Sequence, residues 1–218
     1  MRNAASQPRS AALTERQSLT RLYRWAALVR ALIGLLAYVL TFYFDLTILE
    51  DALTYNNAGW GIAQEWLAGR SVDFDGLGGG AKTGELLVRH IAAYYYVTGG
   101  FGTLPVLLVL FSLLTALAPV YVYRVARELE APEGAARRAG WLVALSPAFV
   151  FWSGSLYKEG VTMLVLSVAA YHTLRLQSRW NRWSLIILVM CDAVLWGVRT
   201  YLGVLLGLAV LLSLIWAR

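Results

Sequence analysis

Long apolar stretches bounded by charged residues are the feature of this sequence that most restricts its fold. A transmembrane helix needs about 20 mostly apolar residues, because the hydrocarbon core of a bilayer is about 30 Å thick. Residues 183–216 are too long for one span, and Arg199 and Thr200 divide them into 184–198 and 201–216. The sequence therefore predicts an all-α fold, a polytopic transmembrane helical bundle of about six spans. The other four apolar stretches cover residues 22–44, 104–123, 139–152 and 161–174.

The composition agrees with this prediction. Hydrophobic residues make up 59% and charged residues 15% of the 218 residues, whereas soluble domains have about 45–50% apolar and about 25% charged residues. The nine tryptophans and twelve tyrosines are typical of the membrane–water interface. A single cysteine, Cys191, excludes an internal disulfide framework and a cysteine-based zinc site.

The net charge of +6 is distributed as a topology signal. Most basic side chains fall in segments 1–24, 124–138 and 175–183, which would all lie on one side of the membrane, and the positive-inside rule makes that side cytoplasmic. The sequence contains no basic run interleaved with aromatic residues, which a nucleic-acid-binding surface would need. It therefore does not indicate a nucleic-acid partner. We therefore expect a multi-pass protein of the plasma (inner) membrane with a cytoplasmic tail, 1–21, and a transmembrane domain, 22–218.

The longest connection, the outer loop 45–103, is predicted to contain structure of its own, because loops of this length are usually functional or structured. Within it, Asp51 precedes an apolar stripe with helical spacing, and Gly69 follows the stripe in the position typical of a helix end. We expect an amphipathic helix on the outer membrane surface, with the Asp51 carboxylate facing a cleft. The stripe consists of Tyr55, Gly59, Ile62 and Trp66.

Charged residues on three outer connections suggest one site. Asp51 lies in the first connection, Lys158 and Glu159 in the second, and Arg199 in the third. Arginine and lysine can bind phosphate oxygens, and carboxylates can accept a proton or bind a hard divalent cation such as Mg²⁺ or Mn²⁺. The combination suits a phosphorylated lipid. Arg89 is a further candidate for phosphate binding.

Each of these residues also has a structural interpretation. Asp51 and Glu159 can stabilise the first turns of helices, Lys158 and Arg89 can contact lipid headgroups, and Arg199 can extend to the interface. A separate pair of charges falls within the predicted spans. Asp192 is expected to pair within the bundle, with Arg30 as its candidate partner.

A series of short motifs, in order along residues 22–218, resembles the GT-C superfamily of membrane glycosyltransferases. This superfamily includes protein mannosyltransferases and lipid A aminoarabinose transferases, and the chain resembles glycosyltransferase family 39. Members usually continue with further spans, so the resemblance implies that the chain is an N-terminal portion. The motifs are Asp51-Ala-Leu-Thr-Tyr55, Trp66-Leu-Ala-Gly69, Tyr123 to Arg127, Ser146 to Ser153, Lys158-Glu159 and Arg199-Thr-Tyr201.

The resemblance implies an enzyme that moves a sugar from a polyprenyl-phosphate carrier to a glycan, lipid or protein acceptor on the outer face. It implies that Asp51 is the catalytic carboxylate and that Glu159 is a second one, at a position where the family more often has Asp. These two residues are also the candidate metal ligands. Substrate contacts are expected from Lys158, Arg199, Arg89, Tyr55 and Tyr201. The alternative is a non-catalytic protein such as a lipid-linked sugar flippase or an assembly subunit. The long acidic loop favours the enzyme, because a carrier would place its charges within the spans.

Overall fold

The computed structural model describes residues 7–74, 84–99 and 104–216, with side chains from residue 15 onward. All regular secondary structure in these ranges is α-helical, which confirms the predicted all-α fold. The helices are α1 (Gln7–Tyr43), α2 (Glu50–Leu67), α3 (Glu85–Val97), α4 (Leu104–Thr115), α5 (Leu117–Glu128), α6 (Glu133–Leu145), α7 (Pro147–Gly154), α8 (Lys158–Ser178), α9 (Arg182–Val198) and α10 (Thr200–Trp216).

Two described segments are long and apolar enough to cross a membrane. These are Glu15–Tyr43 within α1 and Leu104–Glu128, which joins α4 and α5; Thr200–Trp216 is apolar but shorter. On α1, Leu28, Leu32 and Leu36 repeat every four residues and are 47%, 57% and 51% exposed. The described residues thus leave an apolar stripe uncovered along one of the two segments.

The third predicted span, 139–152, is not one helix. Ser146 separates α6 from α7 and has extended backbone angles, φ −60° and ψ 122°. Pro147 causes the break, because its ring disfavours a helical conformation in the preceding residue and its nitrogen cannot donate a hydrogen bond. The prediction of a continuous span there is wrong, and a short helix of eight residues, α7, results.

Helices α1 and α7 cross at two glycines. A Cβ atom placed on Gly34 would lie 2.2 Å from the carbonyl oxygen of Gly154, and one on Gly154 would lie 2.5 Å from the carbonyl oxygen of Arg30. Only residues without a side chain allow so close an approach. The Thr115 hydroxyl donates to the Ser153 carbonyl oxygen (2.8 Å) and ties α7 to the end of α4 as well.

Arg30 lies beside this crossing and is 1% exposed. Its Nε donates to Ser153 Oγ (2.7 Å), and its Nη atoms donate to the carbonyl oxygens of Ala26, Ala144 and Val143 (3.1, 3.2 and 3.5 Å). The last two carbonyls belong to the C-terminal turn of α6, which has no intrahelical donors for them. The predicted pairing of Arg30 with Asp192 is therefore wrong.

The amphipathic helix predicted in the outer loop is confirmed as α2, and Gly69 follows it with a positive φ of 72°. Its stripe faces another helix. Tyr55, Gly59 and Ile62 are buried, and a Cβ atom on Gly59 would lie 2.6 Å from the Ile91 side chain of α3. The helical spacing alone could not distinguish a partner helix from a membrane surface.

Candidate functional site

The break between α9 and α10 positions the centre of the candidate site. Arg199 is extended, with φ −154° and ψ 92°, so the two helices end and begin at this residue as predicted. Its backbone N–H still donates to the Leu195 carbonyl oxygen (2.6 Å). The side chain therefore projects from a fixed junction rather than from a long loop.

Arg199 is held by two partners. Its Nη1 donates to the Tyr201 hydroxyl (2.7 Å), and its Nη2 forms a salt bridge with Glu159 Oε1 on α8. The hydrogen bond to Tyr201 raises the pKa of Arg199 above its ordinary value, and Glu159 raises it further. The Arg199 and Glu159 side chains are 29% and 30% exposed, so a permanently charged guanidinium lies at the edge of solvent.

A polar cavity of about 540 Å³ lies beside this pair. Its wall includes four residues that the sequence predicted to bind substrate: Arg89, Lys158, Arg199 and Tyr201. They come from α3, α8, the α9–α10 junction and α10, so the fold joins the predicted connections at one place. Small-molecule sites usually have volumes of about 300–1,000 Å³. The cavity is large enough for a phosphate with an attached sugar.

An apolar groove of about 440 Å³ adjoins the polar cavity. The two share Leu86 and Val198 in their walls. The remaining wall of the groove comes from α3, α4, α8 and α9, with Ile91, Leu107, Phe111, Val165 and Val194 among its residues. A cavity with charged residues and an apolar groove thus lie next to each other, with Leu86 and Val198 in the walls of both.

Arg89 has an acidic neighbour inside the cavity. Its Nε donates to Glu85 Oε1 (2.8 Å), and its Cζ lies 3.6 Å from the centroid of the Phe74 ring. These contacts fix the guanidinium while Glu85 partly neutralises it. Arg89 is therefore a weaker source of positive charge in the cavity than its sequence alone suggests.

Asp51 lies in the first turn of α2 and is half-buried. It is not part of the walls of the polar cavity or the apolar groove. It acts electrostatically on Tyr157, whose hydroxyl donates to the Ile48 carbonyl oxygen (2.9 Å). Burial raises the pKa of Tyr157, and the carboxylates of Asp51, Glu50 and Glu159 raise it further. Asp51 and Glu159 thus lie within electrostatic reach of the same hydroxyl.

Tyr55 is placed differently from the other candidates. It is 1% exposed in the core between α2 and α3, and a Cβ atom on Gly84 would lie 2.5 Å from its ring. Neither the polar cavity nor the apolar groove reaches it. Its position is that of a packing residue, and we leave it out of the site.

Glu159 has a second oxygen of interest. Its Oε2 is buried and makes no hydrogen bond with any described residue, while Oε1 binds Arg199. Glu159 also lines a smaller cavity of about 350 Å³ with Trp152, Thr162 and Leu202, and Arg199 lines the same cavity.

Among the described residues, no three His, Cys, Asp or Glu side chains come together as a metal-binding group. A divalent cation between Asp51 and Glu159 stays a prediction. The glycine-rich segment 76–80 and Lys82 lie outside the described residues.

Sequence reasoning missed Tyr157 and the apolar groove. Tyr157 directly precedes Lys158 in an aromatic outer connection, which is a signal that could have drawn attention to it. The groove has no comparable signal, because apart from His90 and Tyr94 its residues are ordinary apolar positions spread over distant parts of the chain.

Comparison of the chain with models of known protein families, with curated proteins and with solved structures gave no match.

Proposed function

We propose that this chain is a membrane glycosyltransferase that binds a polyprenyl-phosphate sugar on the outer face of the membrane and transfers the sugar to an acceptor there. The observation that supports this best is that the polar cavity, with its three basic side chains, lies beside the apolar groove. A polyprenyl phosphate has the same two parts, an anionic head and an apolar chain. The transfer of the sugar to an acceptor is inferred from the resemblance to GT-C enzymes.

The phosphate is assigned to Arg199 and Lys158. A guanidinium has five N–H donors in a planar fork, and Tyr201 and Glu159 each accept from one terminal nitrogen. Arg199 therefore retains donors for phosphate oxygens, and its two partners fix the plane in which they point. Lys158, at the first position of α8, adds a second positive charge to the same cavity.

The chemical step is assigned to Asp51. Because Asp51 lies outside the cavity walls, the proposal requires the acceptor hydroxyl to lie between α2 and the polar cavity. In this proposal its carboxylate accepts the proton of an acceptor hydroxyl while the hydroxyl oxygen attacks the anomeric carbon. The bond from that carbon to the carrier phosphate breaks, and the polyprenyl phosphate leaves with its charge bound by Arg199 and Lys158. Direct displacement inverts the configuration at the anomeric carbon.

A Mg²⁺ or Mn²⁺ ion bound by Asp51 and Glu159 also belongs to the proposal. Loss of sugar transfer when EDTA is added would support the ion, and unchanged transfer would contradict it.

The membrane arrangement is part of the same proposal. We assign six spans, the third of them broken at Ser146, an N-terminus in the cytoplasm and a location in the plasma (inner) membrane. The 21 residues of α8 extend for about 31 Å at about 1.5 Å per residue, which matches a hydrocarbon core of about 30 Å. The 17 residues of α9 and of α10 extend for about 25 Å, so these two helices would cross only with some thinning of the bilayer.

A lipid-linked sugar flippase is the second candidate, and one observation favours it. Arg30 and Asp192 place charges within proposed spans, and Asp192 Oδ1 is buried without a hydrogen-bonding partner. Charged groups within spans commonly belong to transport pathways. Release of a free or acceptor-linked sugar identifies the enzyme, whereas movement of the intact donor between leaflets identifies the flippase.

The deciding experiment measures binding of a short-chain polyprenyl phosphate to the purified protein in nanodiscs. A charged hydrogen bond contributes about 1.5–3 kcal/mol, so Arg199→Ala should weaken binding about 10- to 150-fold. Arg179→Ala is the matched control, because Arg179 is an exposed arginine just beyond the other end of α8. Transfer of radiolabelled sugar from the same carrier then tests catalysis. Equal binding by Arg199→Ala and wild type would show that the phosphate binds elsewhere.

A further inference from the structure

Two arginines lie close together at the end of the helical bundle opposite the polar cavity. Arg124 lies on α5 and Arg175 on α8, and both approach the ring of Tyr171. The Cζ atoms of Arg124 and Arg175 lie 5.8 and 5.6 Å from its centroid. Arg124 is also 5.2 Å from the Tyr121 centroid, and Arg175 Nη1 donates to the Tyr171 hydroxyl (3.3 Å). We call Tyr121, Arg124, Tyr171 and Arg175 the inner arginine cluster.

The positive charges of this cluster are not neutralised within the described part of the chain. Arg70, Arg89, Arg137 and Arg199 each form a salt bridge with a glutamate, but Arg124 and Arg175 form none. Glu128, one turn after Arg124, makes no ion pair with it in these ranges. Two guanidinium groups therefore share one aromatic wall without a counter-ion.

Arg175 also has an unused donor. Its Nε is buried and has no hydrogen-bonding partner among the described residues, and the side chain as a whole is partly buried. Because the Nε atom itself is buried, an external anion would be bound by the remaining N–H groups at the end of the Arg175 guanidinium and by the exposed Arg124 guanidinium.

The neighbouring residues hold the cluster in place. His172 follows Tyr171 on α8 and is buried, with its Nδ1 3.1 Å from the hydroxyl oxygen of Ser184 on α9. The rings of Tyr121 and Tyr171 pack edge to face, with centroids 5.7 Å apart. The ends of α5, α8 and α9 are thereby fixed to one another, so both arginines are presented from a rigid surface.

We propose that Arg124 and Arg175 bind the phosphate of an anionic lipid headgroup in the membrane leaflet opposite the polar cavity. Arg175 lies 17 positions after Lys158 on α8, which is about 26 Å along the helix axis. That distance is close to the thickness of the hydrocarbon core, about 30 Å, so the two residues reach the two headgroup layers. A lipid phosphate is present at that depth at all times, and basic pockets between helices on the cytoplasmic side bind such headgroups. The site requires the membrane arrangement proposed above but not sugar transfer.

The test compares two double variants of the full chain in non-ionic detergent, titrated with fluorescent phosphatidylglycerol. Arg124→Gln with Arg175→Gln removes the cluster, and Arg138→Gln with Arg179→Gln removes two exposed charges at the same end. Since a basic residue near an anionic headgroup contributes about 5-fold in affinity, the first pair should lose about 25-fold and the control pair less than about 3-fold. Equal losses in both would overturn the site.

Two further measurements complete the test. Arg175→Lys keeps the charge but removes the planar set of guanidinium donors, so it should lose about half as much, on a logarithmic scale, as Arg175→Gln. An Arg175→Lys variant that binds like wild type would refute the role of the guanidinium donors. Competition with inorganic phosphate distinguishes the two sources of the same chemistry: displacement of the lipid by millimolar phosphate would overturn the lipid assignment, whereas no displacement supports it.

Discussion

Replacement of Gly34 by alanine should destabilise the protein strongly, because its Cβ would lie 2.2 Å from the Gly154 carbonyl oxygen. Ordinary contact begins at 3.4 Å, so α1 and α7 must separate by about 1.2 Å. The bond from Arg30 Nε to Ser153 Oγ would lengthen from 2.7 Å to about 3.9 Å and be lost. Losing a charged hydrogen bond costs about 1.5–3 kcal/mol and overpacking about 1–3 kcal/mol. We expect a loss of about 3–6 kcal/mol.

The assay is the apparent Tm in detergent, measured by size-exclusion chromatography after heating. At about 2–4 °C per kcal/mol for a protein of this size, Gly34→Ala should lower Tm by about 6–24 °C. Gly61→Ala is the matched control, since Gly61 is also within a helix and its Cβ would meet nothing within 4 Å. The control should be neutral or slightly stabilising. A Gly34→Ala variant as stable as this control would refute the crossing of α1 and α7.

Three other predictions follow from the site and the proposed topology. Asp51→Asn should leave Tm unchanged and lower sugar transfer about 10²- to 10⁴-fold, the usual effect of losing a general base; normal transfer would reduce Asp51 to a residue of the first turn of α2. A cysteine at exposed Ser71 should react with an impermeant reagent from outside, and one at exposed Gly134 should not; native Cys191 is buried and should give no background. Because the pKa of Tyr157 is raised in the folded state, its hydroxyl stabilises the protein below pH 10 and loses that effect as the pH rises further. The Tm difference between wild type and Tyr157→Phe should therefore narrow as the pH rises above about 10, and a constant difference would contradict the pKa shift.

Local patterns predicted the local features well. The charged residue within a long apolar stretch predicted the junction at Arg199, and the helical spacing around Tyr55 predicted the amphipathic helix α2, although not that its apolar face packs against α3. Both patterns act within one or two turns of a helix. The break at Ser146 also had a local signal in Pro147, but the apolar character of the surrounding residues outweighed it in the prediction.

Features that depend on contacts between distant segments were predicted only in part. Arg89, Lys158 and Arg199 were each placed on the outer side by topology, and the structure brings all three to one cavity. Topology gives the depth of a residue but not its position around the bundle. Two partners of Arg30, the carbonyls of Ala144 and Val143, are ordinary backbone groups more than 100 residues away, and nothing in their side chains marks them in the sequence.

The hydrogen bonds of Arg30 have a consequence for the order of events during synthesis. In the proposed membrane arrangement, α1 enters the bilayer first, and an arginine near the centre of a span costs about 2.5–3.5 kcal/mol on insertion. Ser153 follows 123 positions later, and at about 5–20 residues per second it is made about 6–25 s after Arg30. During that interval only the Ala26 carbonyl of α1 itself is available to the guanidinium. We expect α1 to stay beside the insertion machinery until α6 and α7 arrive, so that its release into lipid reports the completion of this part of the bundle.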